Sequence, residues 1–405
     1  MAGSKMPGMR KRVYESILEE HLRENRQMAF LSGPRQVGKT TLGRKFAGAY
    51  LGWDNQDSRD AILAGPDRAA ERAGLGAART EPPVVAFDEI HRYSRWKTFL
   101  KGFFDEYEGR CRVIVTGSAR LDVYRKGGDS LMGRYFPYRV HPFSVGEIAR
   151  QEVPREVVQP SVPIPDGDWE ALKEHGGFPE PFTRRDAAFS RRWRRLRAAQ
   201  LVREDVRDLT RTAELDQMEV LARLLAGRSG TPLVHSSLAR EVRAAENTVK
   251  AWIATLKVLY YGFTVRPWYR NVENSLRKTP KWYLRDWSGI ADTGARFETM
   301  VACHLLKAVE GWTDLGLGEF ELFYLRDKQK REVDFLVARD GEPWFLAEAK
   351  TSDAVPTKAL SHFQRATGAP HAFQVVAELP WQPLDCFAWH TPVAVPARTF
   401  LSQLP

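Results

Sequence analysis

The sequence predicts an α/β protein whose N-terminal part is built on a parallel sheet. Between Val13 and Arg150, short apolar runs alternate with helix-period stretches, the rhythm of β–α–β units. Three of those runs, Ala29–Leu31, Pro83–Phe87 and Arg112–Val115, each end in polar residues. In an open parallel sheet the C-terminal strand ends are where ligands gather. At 405 residues the chain exceeds one typical domain, and 43% hydrophobic against 28% charged residues leaves material for several cores.

Texture divides the chain into four parts. Residues 1–150 form the predicted α/β domain. Residues 151–232 start as a linker rich in proline (Pro154, Pro160, Pro163, Pro165) and continue as a helical region. Residues 233–290 carry a helix–turn–helix pattern and two short aromatic strands, and residues 291–405 return to an α/β arrangement. No internal repeat or low-complexity tract is present.

Ala29-Phe30-Leu31 leads into Ser32-Gly33-Pro34-Arg35-Gln36-Val37-Gly38-Lys39-Thr40-Thr41, a G-x-x-x-x-G-K-T loop set between a strand and a helix. The glycines let backbone N–H groups turn inward around phosphate oxygens, and the following helix points its positive end at them. Gly33 to Thr41 are therefore the predicted ATP-binding residues. Lys39 would reach the β- and γ-phosphates and Thr40 would offer its hydroxyl to Mg2+. The second run ends in Asp88-Glu89: Asp88 is placed to hold Mg2+ and Glu89 to accept a proton from the attacking water. The third ends in Thr116-Gly117-Ser118-Ala119, so Thr116 or Ser118 can stand near the γ-phosphate, with Ser118 preferred. Arg134, in Gly133-Arg134-Tyr135, is the candidate for the extra positive charge that phosphoryl transfer requires, with Arg120 and Arg139 as competitors. That charge can be supplied in cis or by a neighbour in a homo-oligomer.

These elements, with His141-Pro142-Phe143-Ser144, Gly176-Gly177-Phe178-Pro179-Glu180 and Val202-Arg203-Glu204-Asp205, resemble a group of bacterial and archaeal AAA-superfamily ATPases related to the STAND NTPases. The resemblance covers nearly the whole chain. It implies an AAA-type P-loop domain, ATP hydrolysis, and a C-terminal domain often similar to a PD-(D/E)xK nuclease.

In the middle region, Ser236–Val242 reads as a short helix capped by serine and Asn247–Leu259 as a second helix. Val249, Trp252, Ile253 and Leu256 form the second helix's apolar face. With strand-like Gly262–Trp268 and Lys281–Leu284 as a wing, this is a winged-helix pattern. Such a module can enter a DNA major groove, act as a lid, or contact protein. The arginine-dense run Ser190–Arg197 either meets nucleic acid or is the solvated side of a helix whose apolar face holds Leu196, Leu201, Val202 and Leu209.

Near the C-terminus, Gly294-Ala295-Arg296-Phe297-Glu298 opens a helix, Glu332–Val337 forms a strand with Asp334, and Trp344–Lys350 a strand with Glu348 and Lys350. Residues two apart on a strand share a face, so Glu348 and Lys350 point together. Asp334 and Glu348, with Glu298 adding acidity, would hold Mg2+ while Lys350 orients or activates water against a phosphodiester. The E…D…ExK order resembles the PD-(D/E)xK nuclease signature, and Gln364 stands where a polar helix residue is expected.

The formal charge of +10 points to a polyanionic partner, DNA first. Cys111, Cys303 and Cys386 are widely spaced, fit no metal pattern and read as reduced thiols. No run long and apolar enough to span a membrane and no secretory signal is found, so a cytoplasmic protein is expected. The leading expectation is Mg2+-dependent ATP hydrolysis coupled to DNA binding or processing. The rivals are an ATP-switched regulatory protein and a structure-directed nuclease licensed by ATP.

Overall fold

In a computed structural model, described for residues 10–77, 80–117, 131–201, 215–269 and 279–405, the chain divides into two compact units. The first holds residues 8–141 with 151–153, and the second holds 142–150 with 154–405.

The first unit runs α1 (Val13–Glu24), β1 (Met28–Ser32), α2 (Lys39–Phe46), β2 (Ala49–Gly52), α3 (Gln56–Ala64), α4 (Pro66–Arg72), β3 (Val84–Asp88), α5 (Trp96–Tyr107), β4 (Arg112–Thr116) and β5 (Tyr135–Arg139). Its five strands form one sheet in the order β2-β3-β4-β1-β5, every pair parallel. β1 is buried along its whole length, as a strand covered on both faces must be. On α5, Trp96, Phe99, Leu100, Phe103, Phe104 and Tyr107 recur at helical spacing and pack into the core with Phe30, Phe87 and Val115. The register aligns Gly52 with Asp88, Asp88 and Leu31 with Thr116, and Ser32 with Arg139, so all five strand ends meet at one edge.

The second unit runs α6 (Val145–Ala149), α7 (Asp166–His175), α8 (Pro179–Arg184), α9 (Ala187–Gln200), α10 (Leu215–Ala226), β6 (Thr231–Pro232), α11 (His235–Val242), α12 (Glu246–Val258), β7 (Gly262–Pro267), β8 (Lys281–Leu284), α13 (Thr293–Asp314), β9 (Phe320–Arg326), β10 (Glu332–Arg339), β11 (Glu342–Lys350), α14 (Lys358–Thr367), β12 (His371–Val376), β13 (Val393–Pro396) and α15 (Ala397–Ser402). Eight strands form one mixed sheet in the order β13-β12-β11-β10-β9-β7-β8-β6. α13 starts at Asp292, whose carboxylate accepts from the Ala295 N–H, and buries Phe297, Val301, Leu305 and Trp312.

Several local expectations meet a different arrangement. The pair β7 and β8 is no isolated wing, because β7 also pairs in parallel with β9, and β8 pairs antiparallel with β6. The sheet therefore runs across the expected boundary at residue 290, since a free hairpin would leave backbone groups unpaired. α11 begins one residue before Ser236, with no side-chain cap, and Ser237 donates instead to Glu241. On α9 the buried residues are Ser190, Trp193 and Arg197, while Leu196 is 54% exposed. Arg197 can go inside because its guanidinium lies over the Phe178 ring, 4.0 Å from the centroid. Val202–Asp205 and Leu209 lie outside the described residues.

Two motifs of the second unit turn out to touch. The Phe143 N–H donates to Gly177 O at 2.7 Å, and a Cβ on Gly177 would lie 2.4 Å from Phe143 O. Only glycine permits that approach. Ser144 caps α6 by accepting from the Glu147 N–H, and Glu147 is ion-paired with buried Lys307. All three cysteines are free, and burial pushes the Cys111 thiol up to about 11 and those of Cys303 and Cys386 up to about 12.

Candidate nucleotide site and C-terminal acid cluster

The loop after β1 takes its shape from three left-handed residues, Gly33 (φ 138°), Gln36 (φ 65°) and Gly38 (φ 99°). At Gly33 a side chain is excluded, because a Cβ would fall 2.3 Å from Val140 O. Gly38 hands the chain to α2, so Lys39 and Thr40 sit in its first turn. Buried Arg12 braces the loop from outside, donating to Val37 O and to His141 O, both at 2.6 Å. Lys39 Nζ donates to Gly33 O at 2.7 Å and Pro34 O at 2.6 Å, so the ammonium rests over the loop itself. Arg35 and Gln36 are exposed at the loop's tip, with Pro34 and Val37 buried beneath.

Asp88, at the end of β3, accepts from the hydroxyls of Tyr50 and Thr116, and Thr40 Oγ1 lies 3.3 Å from both its carboxylate oxygens. Burial and the bond to Asp88 push the Tyr50 phenol up to about 12, so it stays a donor. Glu89 has a left-handed backbone (φ 56°, ψ 23°), held by its N–H donating to Thr116 O at 2.9 Å. That conformation costs a non-glycine residue on the order of 1–3 kcal/mol and is typical of functional positions. Burial raises the Glu89 pKa above the usual carboxylate range; Asp88 adds to the rise and Lys39 opposes it. His91 Nε2 stands 3.5 Å from Glu89 Oε2.

Thr116 is thus a ligand of Asp88, whereas Ser118 and Arg120 lie outside the described residues. Arg134 is placed away from this edge. Met28 N donates to Arg134 O at the opposite end of β1, roughly 13 Å below Ser32 at the usual strand rise. Its guanidinium is fastened to both carboxylate oxygens of Asp105, at 2.6 and 3.0 Å. Arg134 therefore lies away from Lys39 and Thr40, whereas Arg139 stands opposite Ser32 at the loop's edge of the sheet.

In the second unit, Glu298 (α13), Asp334 (β10) and Glu348 (β11) do not form a common ligand set. Among the described residues no group of three or more His, Cys, Asp or Glu is arranged to hold a metal. Lys281, from β8, stands 2.6 Å from Glu332 Oε1, 3.3 Å from Glu298 Oε1 and 3.5 Å from Asp334 Oδ1. Glu298 also accepts from Tyr283 OH at 2.7 Å, and Asp334 from the Ala349 N–H at 3.0 Å. Glu348 instead pairs with Lys350 at 2.8 Å and accepts from Thr357. Burial and then the Glu298 charge push the Asp334 carboxyl up to about 7, against the pull of Lys281. Gln364 donates to His390 O, outside this cluster; the buried amide reaching Thr357 is that of Gln374. Lys281, Glu332, Tyr283, Thr357 and Gln374 were not expected here. A lysine opening an otherwise apolar, aromatic strand was the available sign for the first.

Residues 25–149 match the model of an AAA domain, residues 167–298 a domain of unknown function (DUF8612), and residues 293–386 another (DUF4143). An uncharacterized protein of Mycobacterium tuberculosis and one of Mycobacterium bovis are each 25% identical over 357 residues, 84% of this chain and 73% of theirs. Among solved structures, the Aeropyrum pernix ORC1 protein in complex with DNA is similar at 14% identity and a TM-score of 0.33, covering 71% of this chain and 90% of its own. The STAND protein with a tetratricopeptide repeat sensor from Pyrococcus horikoshii is similar at 11% and 0.24, covering 78% and 50%. No helix of the described residues is long and apolar enough to cross a membrane. By its loop, its parallel sheet and the family match, the N-terminal unit contains an AAA-type P-loop ATPase domain.

Proposed function

We propose that the chain binds ATP with Mg2+ at the loop of its first unit, hydrolyses it, and couples turnover to DNA held by its second unit. The observation that carries this reading is the convergence of Lys39, Thr40, Asp88 and Glu89 at one edge of the sheet. Thr40 and Asp88 offer hard oxygen donors close together, a set that fits Mg2+. When bound there, the ion would neutralise charge on the β- and γ-phosphates. Lys39 exchanges its loop carbonyls for phosphate oxygens. Glu89, its pKa raised by burial towards the working range, takes the proton of the attacking water. Arg139 supplies positive charge from the same edge, and Ser118 remains a proposed neighbour of the γ-phosphate.

The second unit's contribution to this reading is electrostatic. On α9, Arg191, Arg192 and Arg195 are exposed and make no ion pair among the described residues, unlike Arg184 and Arg185 on the preceding turns. Unpaired guanidinium groups on one helix side suit phosphate contact without base reading. The helix–strand order that puts Glu298 on α13 and Asp334 and Glu348 on adjacent strands supports a nuclease-like fold for the C-terminal part.

Mg2+-dependent phosphate release, with and without DNA, in wild type and Glu89→Gln tests the reading. Turnover raised by DNA and lost in the variant is expected. Turnover indifferent to DNA would leave the ATP-switched regulatory reading, which the internally paired acids of the second unit favour.

A further inference from the structure

Every acid of the E…D…ExK set already has a cationic or N–H/O–H partner within its own unit. Glu298 is met by Lys281 and Tyr283, Asp334 by Lys281 and the Ala349 N–H, and Glu348 by Lys350 and Thr357. Lys281 is the pivot. Its side chain is 3% exposed, and its ammonium lies among three carboxylates drawn from α13 and β10. A divalent metal would need those oxygens to converge at about 2.0–2.6 Å on one point. Here that space is taken by a nitrogen atom.

We propose that Lys281 is the resident cation of this cluster, filling the place of a divalent metal, so that the C-terminal unit holds its acids together without metal and does not cleave phosphodiesters. The inference stands apart from ATP hydrolysis in the first unit. An ammonium offers three donors and no vacant coordination position, so it cannot generate a metal-bound hydroxide. Lys350 cannot supply the base in its stead. Its ammonium is itself bonded to Glu348, at 2.8 Å. Lys281 is held in place by Glu332, Glu298 and Asp334, at 2.6, 3.3 and 3.5 Å. Removing it would leave carboxylates facing one another, the arrangement that recruits a cation from solution.

The test is a Mn2+ titration of the full chain, nucleotide-free, followed by electron paramagnetic resonance. An Asp88→Asn background removes the metal ligand of the first unit. No saturable binding is expected below about 1 mM with Lys281 present, and one new Mn2+ site is expected in Lys281→Met, lost again on adding Asp334→Asn. A Mn2+ site in the Lys281-containing chain that disappears in Asp334→Asn would overturn the proposal, as would a folded Lys281→Met chain that gains none. Should Lys281→Met fail to fold, the Lys281-containing chain decides alone, with its thermal midpoint in Mn2+ as a second readout. An unchanged midpoint supports the proposal, and a rise that depends on Asp334 refutes it.

Discussion

Asp88 in the first unit and Asp334 in the second are both little-exposed aspartates on sheet strands, and both lie beside a second acid. Their partners differ in kind. Asp88 is ringed by the hydroxyls of Tyr50, Thr116 and Thr40, which satisfy lone pairs while leaving the negative charge in place. Asp334 shares the full positive charge of Lys281 with Glu298 and Glu332. A hydroxyl-lined carboxylate remains a ligand for an incoming cation, whereas a lysine-paired one has its cation built in. Counting acids therefore says less about a metal site than asking which donors surround them.

The sharpest way to break the comparison is at the first site. Glu89→Gln is expected to lower phosphate release by roughly 10²–10⁴-fold, the range for losing a general base. ATP binding should persist, as measured by calorimetry. Lys39→Ala should lose the binding itself. If both variants kept wild-type turnover, the first site would not be the catalytic one.

Next in size is Lys281→Met, which leaves Glu298 and Asp334 without their cation, while Glu332 keeps Arg326. Breaking a buried pair in this way costs about 3–5 kcal/mol, readable as a fall in the urea midpoint. An unchanged midpoint would mean that Lys281 carries no such load.

A smaller effect separates the two aspartates by pH. The Asp334 carboxyl is raised to about 7, so the folded state binds its proton more tightly than the unfolded chain does. Stability contributed this way is present at low pH and falls as pH rises from about 4, the unfolded carboxylate value, through 7. Asp334→Asn should flatten that decline in urea midpoints taken across the range, and a slope unaffected by the change would refute the assignment. Smallest of all is Arg134→Ala. Arg134 is tied to Asp105 at the far edge of the sheet, so phosphate release should be nearly unchanged, while Arg139→Ala should slow it.

The nucleotide site was legible because each of its parts is contiguous. Gly33 to Thr41 shape their own loop, and Asp88-Glu89 follow directly on the strand that carries them. What sequence could not convey was direction and partnership across the sheet. Arg134 lies five residues before the end of β5, and only the parallel pairing with β1 shows that this puts it at the wrong edge. Ser236 looked like a cap, yet the helix starts at His235 and the serine next to it turns to Glu241. Leu196 was expected on the buried side of its helix, yet it is exposed, and that side is filled by Ser190, Trp193 and Arg197, whose guanidinium lies over Phe178.

The acid cluster shows the same division most clearly. Glu298, Asp334, Glu348 and Lys350 could be named in advance, since alternation along a strand and the opening of a helix are local properties of the chain. Their cation could not. Lys281 precedes Asp334 by more than fifty residues and reaches it only because β8 joins the sheet through β7 and β9. Local spacing decides which side chains a segment presents, but the order of strands in a sheet decides which charges meet, and here that order puts an ammonium beside Glu298 and Asp334, two of the acids expected around a metal.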